Sequence, residues 1–495
     1  MTAADFVQLV EQQFGYEPTA EQHGALECFA AFMADRSDRS LMILRGSAGT
    51  GKTTLAGALI GVLGQLGVKT VLLAPTGRAA KVFSLNSGQK ASTIHRIIYR
   101  RKSVEGVFSL AFNAHSNTLF LVDEASMISG LGGGLGVFGT NSLLDDLMSF
   151  VYEGRHCRLL LIGDPAQLPP VGENEAPALD GDVMSGYGMT VYEADMSEVM
   201  RQSQDSGILW NATRIRNFDG FETGVSETGV SLLPTIQFKG FADIKIVRGD
   251  ELIESLASSY SAVGMDETIV VTRSNKRANA YNTGIRNTIL GREEELTTGD
   301  LLMVVRNKYL KSGVKESGSK GVMESGSNGV KEEEAELDFI ANGDHAVVCR
   351  VRNIHEMHGF RFAEVLLRFP DYDDAEWQSM VLLDALQSEA PALTAEQNRQ
   401  LYDRVLEDYA DVRPKSKRLK MLQEDVYYSA LQVKYGYAVT CHKAQGGQWA
   451  HVYVDQGYMT EEMLTPDYIH WLYTAFTRAT EQLFLVNWPK NQVEE

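Results

Sequence analysis

Gly46-Ser47-Ala48-Gly49-Thr50-Gly51-Lys52-Thr53 meets the spacing G-x-x-x-x-G-K-[ST] at every fixed position. Each residue type there has a chemical use. The glycines let backbone N–H groups turn inward around a polyphosphate with no side chain in the way. Lys52 adds a point charge for β- and γ-phosphates, and the Thr53 hydroxyl, with Thr54 beside it, suits Mg²⁺. A helix starting near Lys52 would aim its positive end at the same anion. Further along, Asp123-Glu124 closes an apolar run. Beside such a loop, Asp123 is placed to hold Mg²⁺ and Glu124 to orient and deprotonate a water. Gln167, after another apolar run, is placed to sense a γ-phosphate by hydrogen bond, or is a surface residue on a rigid Pro-rich turn.

These groups need a scaffold that brings distant loops together. Four short apolar runs read as buried parallel strands: Leu41 to Leu44, Thr70 to Leu73, Asn117 to Val122 and Cys157 to Ile162. Each leads into a loop and then helical pattern, which predicts a doubly wound sheet with ligand loops at the strands' carboxyl ends. Residues 1–34 read as helices, with Thr19 as N-cap and Gln22 three positions on, as in a capping box. Gln22 fits that cap, and a glutamine upstream of a phosphate loop also fits an adenine edge. Thr76, Arg78 and Lys81 follow the second strand and suit either phosphates or a solvated basic face. His95 fits a core or capping role as well as a functional one. The glycine-dense stretch 130–140 is left without a role.

With 495 residues and 44% hydrophobic content, the chain should form more than one domain. Its four cysteines are scattered, with no C-x-x-C pair, which argues against a zinc site or a disulfide framework and fits a reducing cytoplasm. The first residues lack the pattern of a signal peptide, and no run of 18 apolar residues predicts a membrane span. A net charge of −19 argues mildly against nucleic acid, but total charge says little about a local groove.

From residue 196 a second α/β region begins, with a helix through Ile208, Ala212 and Ile215 and a strand from Thr268 to Val271. Near Asp300 short β runs take over, and a small β-barrel inserted in the second region is expected. Within it, an imperfect octad repeat from Gly313 is too poor in apolar residues to fold, so a disordered loop over about 311–336 is expected. The α/β texture returns near Tyr437 and carries a polar turn around His442 and Lys443, then Arg478 on a helix.

The ordered series PTAEQ, GSAGTGKTT, LLAPTGRAAKV, ASTIH, LVDEASM, LIGDPAQLPPVG, SEVMRQ, VVTRSNKRAN, VTCHKAQGGQW and YTAFTRA resembles the superfamily 1 DNA helicases of the 5′→3′ subgroup, close to the RecD-like and Dda-like enzymes. The likeness spans nearly the whole chain. It implies an α/β fold of the P-loop NTPase type: an N-terminal RecA-like domain over 1–195, a C-terminal RecA-like domain over 196–302 and 432–495, a pin-like insertion at 96–117 and an SH3-like β subdomain at 303–431. It further implies that ATP and Mg²⁺ bind through Gly46, Ser47, Ala48, Gly49, Thr50, Gly51, Lys52, Thr53 and Thr54, with Gln22 on adenine and Thr53 and Asp123 on the metal. Catalysis falls to Lys52, Asp123, Glu124, Gln167 and two arginines from the second domain, Arg201 and Arg478. Pro75, Thr76, His95, Thr272, Asn275, Thr440, His442 and Lys443 would line a single-strand track. Gln448 stands where relatives carry a glutamate that can bind ribose, a departure that puts sugar discrimination in question.

By this resemblance the chain is expected to be a monomeric, cytoplasmic ATP-dependent helicase. It would move 5′→3′ on single-stranded DNA and open duplex junctions in repair, recombination or replication, with other repair or recombination proteins as further partners. The alternative is a DNA-stimulated ATPase that remodels protein–DNA complexes. A small-molecule P-loop kinase or GTPase leaves the motifs from Thr272 to Lys443 unexplained. An RNA track stays open, since a polar groove does not by itself exclude a 2′-OH.

Overall fold

A computed structural model describes residues 2–101, 108–132, 142–199, 205–218, 233–309, 339–459, 463 and 465–494. The chain forms two compact units, one of residues 1–293, 412–420 and 436–495, the other of 294–411 and 421–435. The octad repeat, most of the glycine-dense stretch and Arg201 lie outside the described residues.

The larger unit contains two RecA-like parallel sheets. The first has six strands in the spatial order Ala91–Thr93, Lys69–Ala74, Thr118–Val122, Arg158–Gly163, Ser40–Gly46 and Thr190–Met196. Its central strands are apolar on both faces because helices cover both sides. Helices Ala3–Phe14, Ala20–Ala34 and Lys52–Gln65 supply one cover, burying Phe6, Val10, Phe29, Leu59 and Val62 against it. All six strands run the same way, so the loops after Gly46, Ala74, Val122 and Gly163 gather at one edge. The expected pin region holds a short hairpin, Tyr99–Arg101 with Phe108–Leu110, whose connection lies outside the described residues.

The second sheet has five parallel strands, in the order Ile244–Val247, Ala479–Val486, Trp449–Asp455, Thr268–Thr272 and Ala438–Thr440. Helix Pro466–Phe476 packs beneath it with Tyr468, Leu472, Tyr473 and Phe476 buried.

The smaller unit is a closed five-stranded barrel: Leu301–Val304, His345–Met357, Phe360–Phe369, Ala375–Leu382 and Leu431–Tyr435. Val348, Phe362, Val365, Leu367, Val381 and Val433 fill it. A boundary at 303 would cut its first strand, and one at 431 would sever its last.

Candidate active site

The loop after strand Ser40–Gly46 is shaped by its glycines. Gly49 and Gly51 have φ of +79° and +81°, a region costly for side-chain-bearing residues. A Cβ on Gly46 would stand 2.9 Å from both the Lys52 side chain and the Thr50 hydroxyl. Thr50 is fully buried and donates to the Ser47 carbonyl at 2.8 Å, which closes the turn. Lys52 Nζ curls back on the loop, donating to the Ser47 carbonyl at 2.8 Å and to that of Gly46. Helix Lys52–Gln65 begins at Gly51 with no side-chain cap, so its first N–H groups face the loop as an anion site requires. Thr53 is half-buried at that helix start and Thr54 is exposed.

Gln22 takes the capping role and also reaches the phosphate loop. It completes the capping box, accepting from Thr19 N at 2.9 Å while its own N–H donates to Thr19 Oγ1 at 3.2 Å. The other end of its amide donates to the Thr50 carbonyl at 2.9 Å, tying the helix to the phosphate loop.

Asp123 and Glu124 follow strand Thr118–Val122 at the same edge. Burial pushes the Asp123 carboxyl up, the Glu124 charge adds to the rise, and Lys52 opposes it. Two adjacent carboxylates held in a buried site want a cation between them. Glu124 has a left-handed backbone, φ 53° and ψ 38°, an uncommon state for a non-glycine residue and one that gathers at functional sites. Its N–H donates to Asp123 Oδ1 at 2.9 Å. Among the described residues no group of three or more His, Cys, Asp or Glu side chains is set to hold a metal. The donors here fit Mg²⁺ instead, which takes one or two protein ligands and completes its shell from phosphates and water.

Gln167 lies in the loop Asp164 to Leu168, after strand Arg158–Gly163. It is buried, and its side-chain oxygen has no hydrogen-bond partner among the described residues. A buried unpaired amide is costly unless something else supplies the partner.

Helix Pro466–Phe476 and the turn after Cys441–Ala444, both beside the second sheet, grip this same loop. Tyr473 donates to Asp164 Oδ2 at 2.6 Å and accepts from Ala48 N of the phosphate loop at 2.8 Å. Leu168 N donates to Thr474 Oγ1 at 2.7 Å, Gln445 Nε2 donates to the Leu168 carbonyl at 2.7 Å, and His470 Nδ1 donates to the Ala166 carbonyl at 2.9 Å. The sequence reading singled out none of these four. The signal was polar atoms interrupting an otherwise apolar helix, and it reads equally as core packing.

Arg478 sits at the end of the same helix, buried to 2% exposure. It does not reach out as a finger. Its guanidinium donates to the carbonyls of Thr474 and Gly447, each at 3.0 Å, and to Thr477 Oγ1 at 3.1 Å. Gln448 exposes its side chain, while its carbonyl accepts from Arg78. Arg78 also stacks 4.5 Å from the Trp449 ring centre and pairs with Glu267 at 3.4 Å, so it ties the two sheets together rather than facing phosphate.

The expected track residues divide. Pro75 and Thr76 follow strand Lys69–Ala74, and Thr76 also caps the next helix through Ala79 N at 3.2 Å. Thr440, His442 and Lys443 follow strand Ala438–Thr440, with His442 exposed, and Asn275 is half-buried after Thr268–Thr272. His95 lies against Tyr99 in a tilted ring contact, centroids 5.6 Å apart, and burial pushes its imidazole down to about 4, so it is neutral at physiological pH. Thr272 needs correction. It is fully buried, and its hydroxyl lies 3.1 Å from the Ser274 carbonyl and 3.3 Å from that of Val439. It cannot face a strand, because the sheet's own turn covers it. Thr272→Val should therefore cost about 1–2 kcal/mol in chemical denaturation and leave single-strand affinity unchanged.

Two RecA-like sheets, with a phosphate loop and an acidic pair at the edge of the first, define a P-loop NTPase. The AAA domain family matches residues 19–221, and the UvrD-like helicase C-terminal domain matches 435–486. The ATP-dependent RecD2 DNA helicase of Deinococcus radiodurans is 32% identical over 154 residues, 31% of this chain and 19% of that protein. The ATP-dependent DNA helicase dda of Enterobacteria phage T4 is 26% identical over 275 residues, 53% of this chain and 55% of that one. The chain thus spans about half or less of the length of these curated relatives. A crystal structure of Pif1 helicase from Bacteroides with ADP-AlF3 and ssDNA aligns over 97% of this chain and 95% of its own, at 14% identity and a TM-score of 0.45. By these matches the chain is similar to superfamily 1 helicases of the RecD and Dda type.

Proposed function

We propose that this chain is an ATP-driven motor that moves 5′→3′ along single-stranded DNA and opens the duplex ahead of it. One observation carries the coupling. The loop bearing Gln167 is hydrogen-bonded to Gln445, His470, Tyr473 and Thr474 beside the second sheet, so a change at the γ-phosphate reaches that sheet directly. Lys52 and the phosphate loop bind the polyphosphate. Thr53 and Asp123 would hold Mg²⁺, which when bound neutralises phosphate charge. Glu124 takes the proton of the attacking water, and Gln167 offers its unpaired side-chain oxygen as acceptor to that water and its amide N–H to the γ-phosphate. Arg201 and Arg478 are assigned the developing charge. To serve it, Arg478 must exchange its bonds to Gly447 and Thr474 for phosphate oxygens.

The track runs over the carboxyl ends of both sheets, past Thr76, His95, Asn275, Thr440, His442 and Lys443. Grip there comes from sugar–phosphate contacts and some stacking, so sequence preference is weak. The chain works as a monomer in the cytoplasm, in DNA repair, recombination or replication, alongside other proteins of those processes. Among the described residues no helix is long and apolar enough to cross a membrane. The direction is inherited from the family and is tested on tailed duplexes. Single-stranded DNA should raise ATP turnover, and strand release should require a 5′ tail. Release only from a 3′ tail overturns the direction. Turnover indifferent to single strands overturns the motor, and stimulated turnover without release indicates a remodelling ATPase.

A further inference from the structure

We propose that Tyr473 is a positioning residue of the nucleotide site: its phenol holds the Ala48 N–H of the phosphate loop until a polyphosphate takes that N–H from it. The inference rests on the nucleotide reading above and adds a residue to it. The phenol oxygen lies 2.8 Å from Ala48 N and 2.6 Å from Asp164 Oδ2. A phenol has one proton to give. The carboxylate must receive it, so the oxygen lone pair accepts from Ala48. Asp164 is itself fixed, its Oδ1 accepting from Ala166 N at 3.0 Å. Tyr473 is 1% exposed, so water does not compete for either bond.

Ala48 belongs to the segment whose N–H groups cradle phosphate. A phosphate oxygen carries charge and a phenol oxygen does not, and charge-assisted hydrogen bonds are about twice as strong as neutral ones. Polyphosphate therefore displaces the phenol. The neighbouring bonds give this displacement a mechanical outlet, because Thr474, His470 and Gln445 hold Leu168 and Ala166 on the same loop. Freeing the phenol from Ala48 removes the Tyr473 tie between the phosphate loop and the second domain at the moment the site fills, while its bond to Asp164 remains. In the empty site the same ties keep the loop in register.

Tyr473→Phe tests this, since it deletes the oxygen and keeps the ring. The empty phosphate loop then loses a bond that the filled one lacks anyway. Titration with a fluorescent N-methylanthraniloyl-ATP, without DNA, should show a dissociation constant lower by about 3–10-fold. The KM for ATP should fall in parallel, with no rise in kcat. A purely structural tyrosine would leave affinity unchanged or weaken it, and either result overturns the proposal. Asp164→Asn keeps an acceptor for the phenol but removes the charge, so it should shift affinity the same way by less. It decides the matter if the phenylalanine variant does not melt cooperatively, and unchanged or weaker binding there overturns the proposal too. If the unaltered chain bound no nucleotide, the nucleotide reading would fall first.

Discussion

Replacing Arg478 with alanine lowers ATP turnover by about 10³-fold or more, the usual worth of an arginine that meets transition-state charge. ATP affinity measured at equilibrium falls far less, because the phosphate loop and Lys52 bind the ground state. The substitution also has a structural cost. The guanidinium is buried and donates to Thr474, Gly447 and Thr477, so its loss strips a donor from the Thr474 and Gly447 carbonyls. That should cost about 1–3 kcal/mol in thermal or chemical unfolding. The two effects separate by comparing variants. Arg478→Lys keeps the charge but replaces a planar fork with a single donor centre, which cannot span Thr474 and Gly447 together. Both variants should therefore be slow, with the lysine variant better folded. Turnover within tenfold of the unaltered chain, in a variant shown to be folded, would remove Arg478 from the chemistry.

Glu124→Gln should reduce kcat by about 10²–10⁴-fold, the range for losing a general base. Glutamine has the same shape, and the left-handed backbone at this position makes no new demand on it. Melting should stay where it was. ATP binding should hold or tighten, because one of two crowded negative charges near the phosphates is gone. Single-turnover measurement with bound ATP is the decisive readout. A kcat within a few-fold of the original would mean that another group activates the water.

The first sheet was legible because its central strands are buried on both faces. Leu41 to Leu44 and the run to Val122 are continuous apolar stretches, and each ends in a residue type with a chemical use. Its two edge strands were not. Ala91–Thr93 is three residues long, and Thr190–Met196 mixes exposed and buried positions without an apolar run. The barrel's texture was visible from Leu301, but its closing strand was missed. That strand, Leu431–Tyr435, carries Gln432 and Lys434, which look like surface residues. Lys434 is buried and its ammonium is bonded to the Ser388 carbonyl, a pairing no local pattern encodes. The same limit applies at the site. Glycine spacing announces a phosphate loop, because the constraint is local backbone geometry. The positions of Tyr473 and Thr474 depend on partners some 300 residues or more away in sequence. Thr272 shows the converse error, a hydroxyl in a polar motif that the turn consumes for itself.

The doubly bonded amide of Gln22 bears on how choosy the nucleotide site is about its base. A nucleobase arriving at that glutamine must share an amide whose oxygen already accepts from Thr19 N and whose N–H already donates to the Thr50 carbonyl. Part of the amide's bonding capacity is thus already spent inside the protein, so guanine, cytosine or uracil nucleotides forfeit little there. Triphosphates of every base should be hydrolysed at comparable rates, with the phosphates rather than the base setting the affinity.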